Sequence, residues 1–205
     1  MATGSTTGLR SDASRNYGRI LDAAAEAFEQ GGRTVSLDEI AARAGVGVAT
    51  VYRRFRTREE LIAAVAEHVF VADIATAVVE GGPDEWTDLV ATLNGTVDAF
   101  AAHPVLVGLA RESAVFDLSA KTEYLAAVER VLDRARDAGA IRPELTVKDV
   151  TAVVVMALAM VRSVGAADAR RYLALLVDGM RPSEHRLPEL MPPDHSQQRK
   201  RRGSA

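Results

Sequence analysis

Ser36-Leu37-Asp38-Glu39-Ile40-Ala41-Ala42-Arg43-Ala44-Gly45-Val46-Gly47-Val48-Ala49-Thr50-Val51-Tyr52-Arg53-Arg54-Phe55 is the stretch on which the fold turns. It opens with a capping box: the Ser36 hydroxyl is placed to accept from a first-turn amide, and Glu39 to reach back to the cap amide. Leu37, Ile40 and Ala41 then recur at helical spacing and predict a helix to about Ala44. Gly45-Val46-Gly47 supplies a tight turn. A second helix, Val48 to Phe55, buries Val51 and Phe55. Two short helices joined by a three-residue glycine turn make a helix-turn-helix.

The same periodicity extends outward. Upstream, Ile20, Ala24, Ala27 and Phe28 predict a helix from near Ser14 that Gly31-Gly32 ends. Residues 1–13, rich in Gly, Ser and Thr, read as a disordered arm. Downstream, a second capping box, Thr57-Arg58-Glu59-Glu60, opens a fourth helix running through Leu61, Val65 and Val69 to about Val79. Gly81-Gly82-Pro83 marks a boundary between a unit of residues 14–80 and a larger one of residues 81–181. In the latter, helices are expected from Asp84 (Trp86, Leu89, Leu93, Val97 and Phe100 on one face), then over Val105–Val115, Ala120–Ala138, Val147–Val164 and Asp168–Met180. No alternating strand pattern occurs, so the fold class is all-α with about nine helices. Residues 182–205, with further prolines and the cluster Arg199-Lys200-Arg201-Arg202, read as a disordered tail.

Composition narrows the function. The 205 residues contain 48% hydrophobic side chains and no cysteine, which removes disulfide, thiolate and Cys-based metal chemistry. No apolar run reaches the roughly 18–20 residues of a membrane span, and no signal peptide is legible. A cytoplasmic protein without a membrane partner is expected. The histidines, His68, His103, His185 and His195, have no metal-ligand spacing, and Gly45-Val46-Gly47 lacks the lysine of a phosphate loop. No catalytic residue, metal or cofactor is expected.

The net charge of −3 hides an uneven distribution. Arginines 43, 53, 54, 56 and 58 fall in a segment without an acid, while residues 61–198 hold 12 basic and 20 acidic side chains, a balance of −8. Duplex DNA needs a local basic surface, not a basic whole. With Val51 and Phe55 inward, Ala49, Thr50, Arg53 and Arg54 point toward base edges or phosphates, and Tyr52 donates from the flank. Arg58 and Ser36, at two helix starts, are candidate phosphate contacts. The alternative is a sequence-indifferent architectural DNA-binding protein, which the basic tail would suit.

These residues carry a resemblance. Ile20-Leu21-Asp22-Ala23-Ala24, Phe28, Ser36 to Ala41, Ala44-Gly45-Val46, Thr50 to Phe55 and Thr57 to Leu61 closely resemble the TetR family of bacterial regulators. The second half is similar in its helical plan and in Tyr172 to Met180. The resemblance implies phosphate roles for Tyr52 and Arg58 and groove contacts from Val48, Ala49, Thr50, Arg53 and Arg54. Gly47 stands where many relatives carry a hydroxyl cap, and Val48 where they often carry a polar base reader.

The helix Val147–Val164 is apolar nearly all round: Val150, Val154, Ala157, Val161 and Val164 form one stripe, and Val153, Met156 and Met160 another. It is either central to one bundle or shared with a two-fold partner. The resemblance implies the second, a homodimer built from the last two helices, and a small-molecule effector in the larger domain. Trp86, Phe100, Phe116, Tyr124, Met156 and Met160 suit an apolar pocket or ordinary core. Asn94, Arg111 and Glu112 are candidate polar contacts to the effector, or an edge residue and a solvated ion pair. The expected function is a transcriptional regulator, a repressor released from a palindromic operator in double-stranded DNA by its effector. Repressor and activator are not separable from sequence.

Overall fold

The computed structural model describes residues 5–113 and 121–189. Phe116 and the basic cluster at 199–202 lie outside the described residues. Among the described residues nine α-helices follow in order: α1 (Ser5–Gly31), α2 (Leu37–Ala44), α3 (Val48–Arg54), α4 (Arg58–Val69), α5 (Glu85–Ala102), α6 (Pro104–Glu112), α7 (Thr122–Asp137), α8 (Val147–Val164) and α9 (Ala166–Asp178). No strand occurs among the described residues. Helix α1 starts at Ser5, well before the expected Ser14 and within the stretch read as a disordered arm.

Two apolar cores form. The first joins Ile20, Ala24 and Phe28 of α1, Ile40 of α2, Val51 and Phe55 around α3, and Leu61, Val65 and Val69 of α4. Leu106, Leu109 and Ala110 of α6 belong to this core too, although α6 lies beyond the linker. The second joins Leu89, Leu93, Val97 and Phe100 of α5 with Val128, Val131 and Leu132 of α7, Val150, Val154 and Ala157 of α8, and Leu173 and Val177 of α9.

The chain changes core between Val69 and Phe70. There the α-helix gives way to a π turn over Phe70–Ile74 and a 3-10 turn over Ala75–Ala77. A continuous helix to Val79 was the sequence expectation. The widened turn re-aims Phe70 and Ile74 into the second core, which one unbroken 3.6-residue register would not do. The chain then runs against α5. The Thr92 hydroxyl accepts from the Val79 amide at 3.0 Å, and buried Asp88 accepts from the amides of Gly81 and Gly82 at 3.0 and 2.8 Å. Arg134 of α7 approaches the same carboxylate at 3.3 Å. A side chain at Gly95 would meet the Ala77 backbone, so glycine permits this close passage.

The caps are partly as expected. Ser36 Oγ accepts from the Glu39 amide, but the Glu39 carboxylate pairs with Arg43 in place of the cap amide. Thr57 Oγ1 accepts from the Glu60 amide, while Glu60 accepts from the amide of Arg56, one residue before the cap. A reciprocal box closes at α8, where the Thr146 side chain accepts from the Asp149 amide and the Asp149 carboxylate accepts from the Thr146 amide. At α5, Asp84 accepts from the Thr87 amide at 2.8 Å. That bond, then the one from the Thr87 hydroxyl, holds its carboxyl below the usual carboxylate range.

Candidate nucleic-acid interface

Helix α3 is placed from three sides. Val51 and Phe55 are buried in the first core, and the Phe55 ring stacks on Tyr17 of α1 at 5.9 Å. The turn before α3 depends on Gly45, whose φ of +63° favours glycine. Arg19 of α1 donates to the Ala44 carbonyl at 2.6 Å, closing the end of α2. Its guanidinium passes so near Gly45 that an added Cβ would sit 2.7 Å from Arg19 Nη2.

With Val51 and Phe55 inward, the remaining α3 side chains face outward in pairs four residues apart. Val48 and Tyr52 lie on one flank, 41% and 51% exposed; Ala49 and Arg53 form the exposed crest; Thr50 and Arg54 occupy the other flank. Arg53 Nη2 comes only within 3.5 Å of Thr50 Oγ1, the long limit of a hydrogen bond. Ser36 is exposed at the start of α2.

The five arginines do not act alike. Arg43 donates to Gln30 and Glu39 at 2.6 and 2.7 Å. Arg54 lies over the Tyr17 ring, 4.4 Å from its centroid, a cation–π contact that fixes it against α1. Arg58 is held by groups of its own chain. Its guanidinium donates to the Val35 and Gly32 carbonyls and covers the Phe28 ring. It ties α4 to the connection after α1 through two of its five N–H donors. Arg53 and Arg56 remain exposed.

The residues singled out for an effector fall into three separate spaces. Trp86 and Asn94 share a surface groove of about 180 Å³ between α5 and α9, where the Asn94 amide donates to the Val90 carbonyl. Tyr124 borders a void of about 20 Å³, and its hydroxyl is 2.9 Å from that of Thr96. Burial pushes the Tyr124 phenol up, and the bond to Thr96 opposes this only in part. Met156 is 45% exposed on the outer side of α8, and neither it nor Met160, farther along α8, lines these spaces. Phe100, Arg111 and Glu112 of the set do come together, around a cavity of about 430 Å³ that Val107, Gly108, Leu158 and Val161 complete.

Sequence reasoning missed Glu29. This α1 carboxylate accepts from the amides of Val105 and Leu106, at 3.1 and 2.8 Å, at the first turn of α6. His103, just before α6, sits 2.8 Å from Asp73 in the π turn, and Glu112 at its far end pairs with Arg33. The signal was Pro104, whose missing amide suits a helix start, followed by amides without a local acceptor.

The comparisons cover both halves of the chain. Residues 20–65 match the family described as bacterial regulatory proteins, tetR family, and residues 84–182 match the SbtR-like C-terminal domain of transcriptional regulators. No curated protein matches the chain. The TetR transcription regulatory protein from Mycobacterium vanbaalenii is 33% identical, over 85% of this chain and 99% of that one, with a TM-score of 0.52. A TetR transcriptional regulator from Streptomyces coelicolor is 28% identical, over 82% and 99% of the two chains, with a TM-score of 0.61. A TetR family regulator from Thermus thermophilus, at 21% identity over 80% and 100% and a TM-score of 0.56, shares the fold.

Replacing Arg58 with alanine leaves two carbonyls short of their donor and is expected to cost about 1–3 kcal/mol of stability. Arg53→Ala, at an exposed crest position, is expected to stay within about 0.5 kcal/mol of the parent. Urea unfolding of the two variants measures both; equal midpoints would refute the structural role of Arg58. With its helix-turn-helix, its second helical bundle and a 33% identical relative matched along nearly its whole length, the chain belongs to the TetR family of DNA-binding transcriptional regulators, proteins without enzymatic function.

Proposed function

We propose that this protein is a homodimeric repressor that holds a palindromic operator through α3 and lets it go when a small molecule fills the cavity beside α6. The observation that carries the first part is the outer face of α3. A short helix pinned by Val51 and Phe55 presents Ala49 and Arg53 on its crest, flanked by Tyr52 and Thr50. In a helix-turn-helix this helix enters the major groove, where a forked arginine reads guanine. Val48, Ala49, Thr50, Tyr52, Arg53, Arg54 and Ser36 form the proposed contact set; Arg58 is assigned to holding the fold.

The dimer rests on α8 and α9. Their inner sides, with Val154, Ala157, Leu173 and Val177, are buried, yet Val155, Met156, Tyr172 and Leu175 are exposed, Leu175 to 62%. Large apolar side chains clustered outward on two packed helices suit a second copy of the same face. Two such subunits would present their α3 helices to half-sites about one helical turn apart.

The release mechanism rests on the two sides of α6. Leu106, Leu109 and Ala110 are packed in the first core, while Val107, Gly108 and Arg111 border the 430 Å³ cavity, a size that suits a small ligand. A ligand that displaces α6 acts on α1 directly through Glu29. Effector and operator then oppose each other through one coupling free energy. The chemistry of the cavity wall is mostly apolar, with Arg111 and Glu112 as its charged residues.

Three outcomes test this reading. Tyr52→Ala/Arg53→Ala should weaken operator binding roughly tenfold or more without lowering thermal stability; undiminished affinity in fluorescence anisotropy would end it. Leu175→Glu places a charge on the proposed contact between copies, so sedimentation should report a monomer; an intact dimer would move the interface elsewhere. A side chain at Gly108 would meet open space. Gly108→Leu should therefore keep operator affinity while abolishing thermal-shift responses to a metabolite panel; unchanged responses would place the effector elsewhere.

A further inference from the structure

The first two side chains of the DNA-facing helix are apolar. Val48 is 41% exposed and Ala49 is exposed on the crest. Neither side chain donates or accepts a hydrogen bond. The N-terminal residues of a recognition helix are the ones that meet base edges. Base edges in the major groove carry hydrogen-bonding atoms with one apolar exception, the C5 methyl group of thymine. A polar edge placed against Val48 would lose its water and gain no partner, a cost that a methyl group does not incur.

We propose that Val48 and Ala49 read thymine through its methyl group. This rests on the reading that α3 enters the major groove. The other side chains of α3 narrow the remaining readout. Arg54 is laid on Tyr17, and half-buried Thr50 lies next to Arg53. Arg53 is the long polar side chain left on the crest, four residues after Ala49. Four residues of helix rise about 6 Å, and base pairs are stacked about 3.4 Å apart. Each half-site is therefore expected to pair a guanine, read by Arg53, with a thymine about two base pairs away, read by Val48 and Ala49. An exposed valine at this position thus acts as a specificity-determining residue: it selects T·A by contact and disfavours C·G, which lacks the methyl and places an amine donor beside its site.

The test begins with selection of bound sequences from random duplex DNA by the full-length protein. In the enriched inverted repeat, each thymine is replaced singly by deoxyuridine, which deletes only the methyl group. Binding is followed by fluorescence anisotropy at fixed salt. One thymine in each half-site should lose about fourfold in affinity, the equivalent of one buried methyl group. In Val48→Ala the penalty at that thymine should shrink toward unity, the coupling expected of groups in contact. Val48→Thr keeps the shape but exchanges one methyl for a hydroxyl, and should relax the preference for thymine there. Both substitutions are at an exposed site and leave the core intact. A protein that enriches an inverted repeat yet tolerates deoxyuridine at every thymine overturns the methyl contact alone. A penalty that persists undiminished in Val48→Ala also overturns it. A protein that enriches no sequence overturns the DNA-reading function itself, and this inference with it.

Discussion

A carboxylate of α1 holds the start of α6 in place. The first turn of α6 carries amides that no intrahelical carbonyl can satisfy, and Glu29 from α1 accepts from two of them at 3.1 and 2.8 Å. A negative group at a helix N-terminus also opposes the positive end of the helix dipole. Leu106, Leu109 and Ala110 then carry α6 into the core that holds the helix-turn-helix. Helix α6 follows the linker in sequence but packs with the segment before it. Short, directional contacts therefore join the start of α6 to α1.

The second joint is the run from α4 into α5. The π turn at Phe70–Ile74 transfers the chain between cores, and the segment beyond it is held by backbone hydrogen bonds to Thr92 and Asp88. Asp88 is buried, so its charge needs compensation; two amides and Arg134 supply it. The linker is thus not a free hinge. It is attached to α5 and, through Arg134, to α7, while Glu80 between the two attachments pairs with Arg130 and Arg134. Glu29 thus fixes α6 to the first bundle, and Asp88 fixes the linker to the second.

The arginines of the basic segment divide by geometry. Arg43, Arg54 and Arg58 use their guanidinium groups within the protein, on Glu39 and Gln30, on the Tyr17 ring, and on two backbone carbonyls. This frees α3 from any need to be held by DNA: the recognition helix is pre-set by its own neighbours. A pre-set surface loses less conformational entropy on binding than one ordered by its ligand.

The sequence by itself determined the helices, because each rests on local spacing and local caps. Leu37, Ile40 and Ala41, or Leu89, Leu93 and Val97, repeat at helical intervals that fix which face is buried before any partner is known. It also determined the helix-turn-helix, where a glycine turn, two inward positions and an acid-free arginine run fall within twenty residues. Tertiary structure alone decided what these side chains touch. That Arg58 turns inward to Val35, that Met156 faces out while Tyr124 faces in, that α4 breaks at Phe70, and that Glu29 meets α6 all depend on groups far apart in the chain. The physical reason is range: helical periodicity and capping act over three or four residues, whereas the partner of a carboxylate, a guanidinium or an apolar stripe is chosen by how whole helices pack.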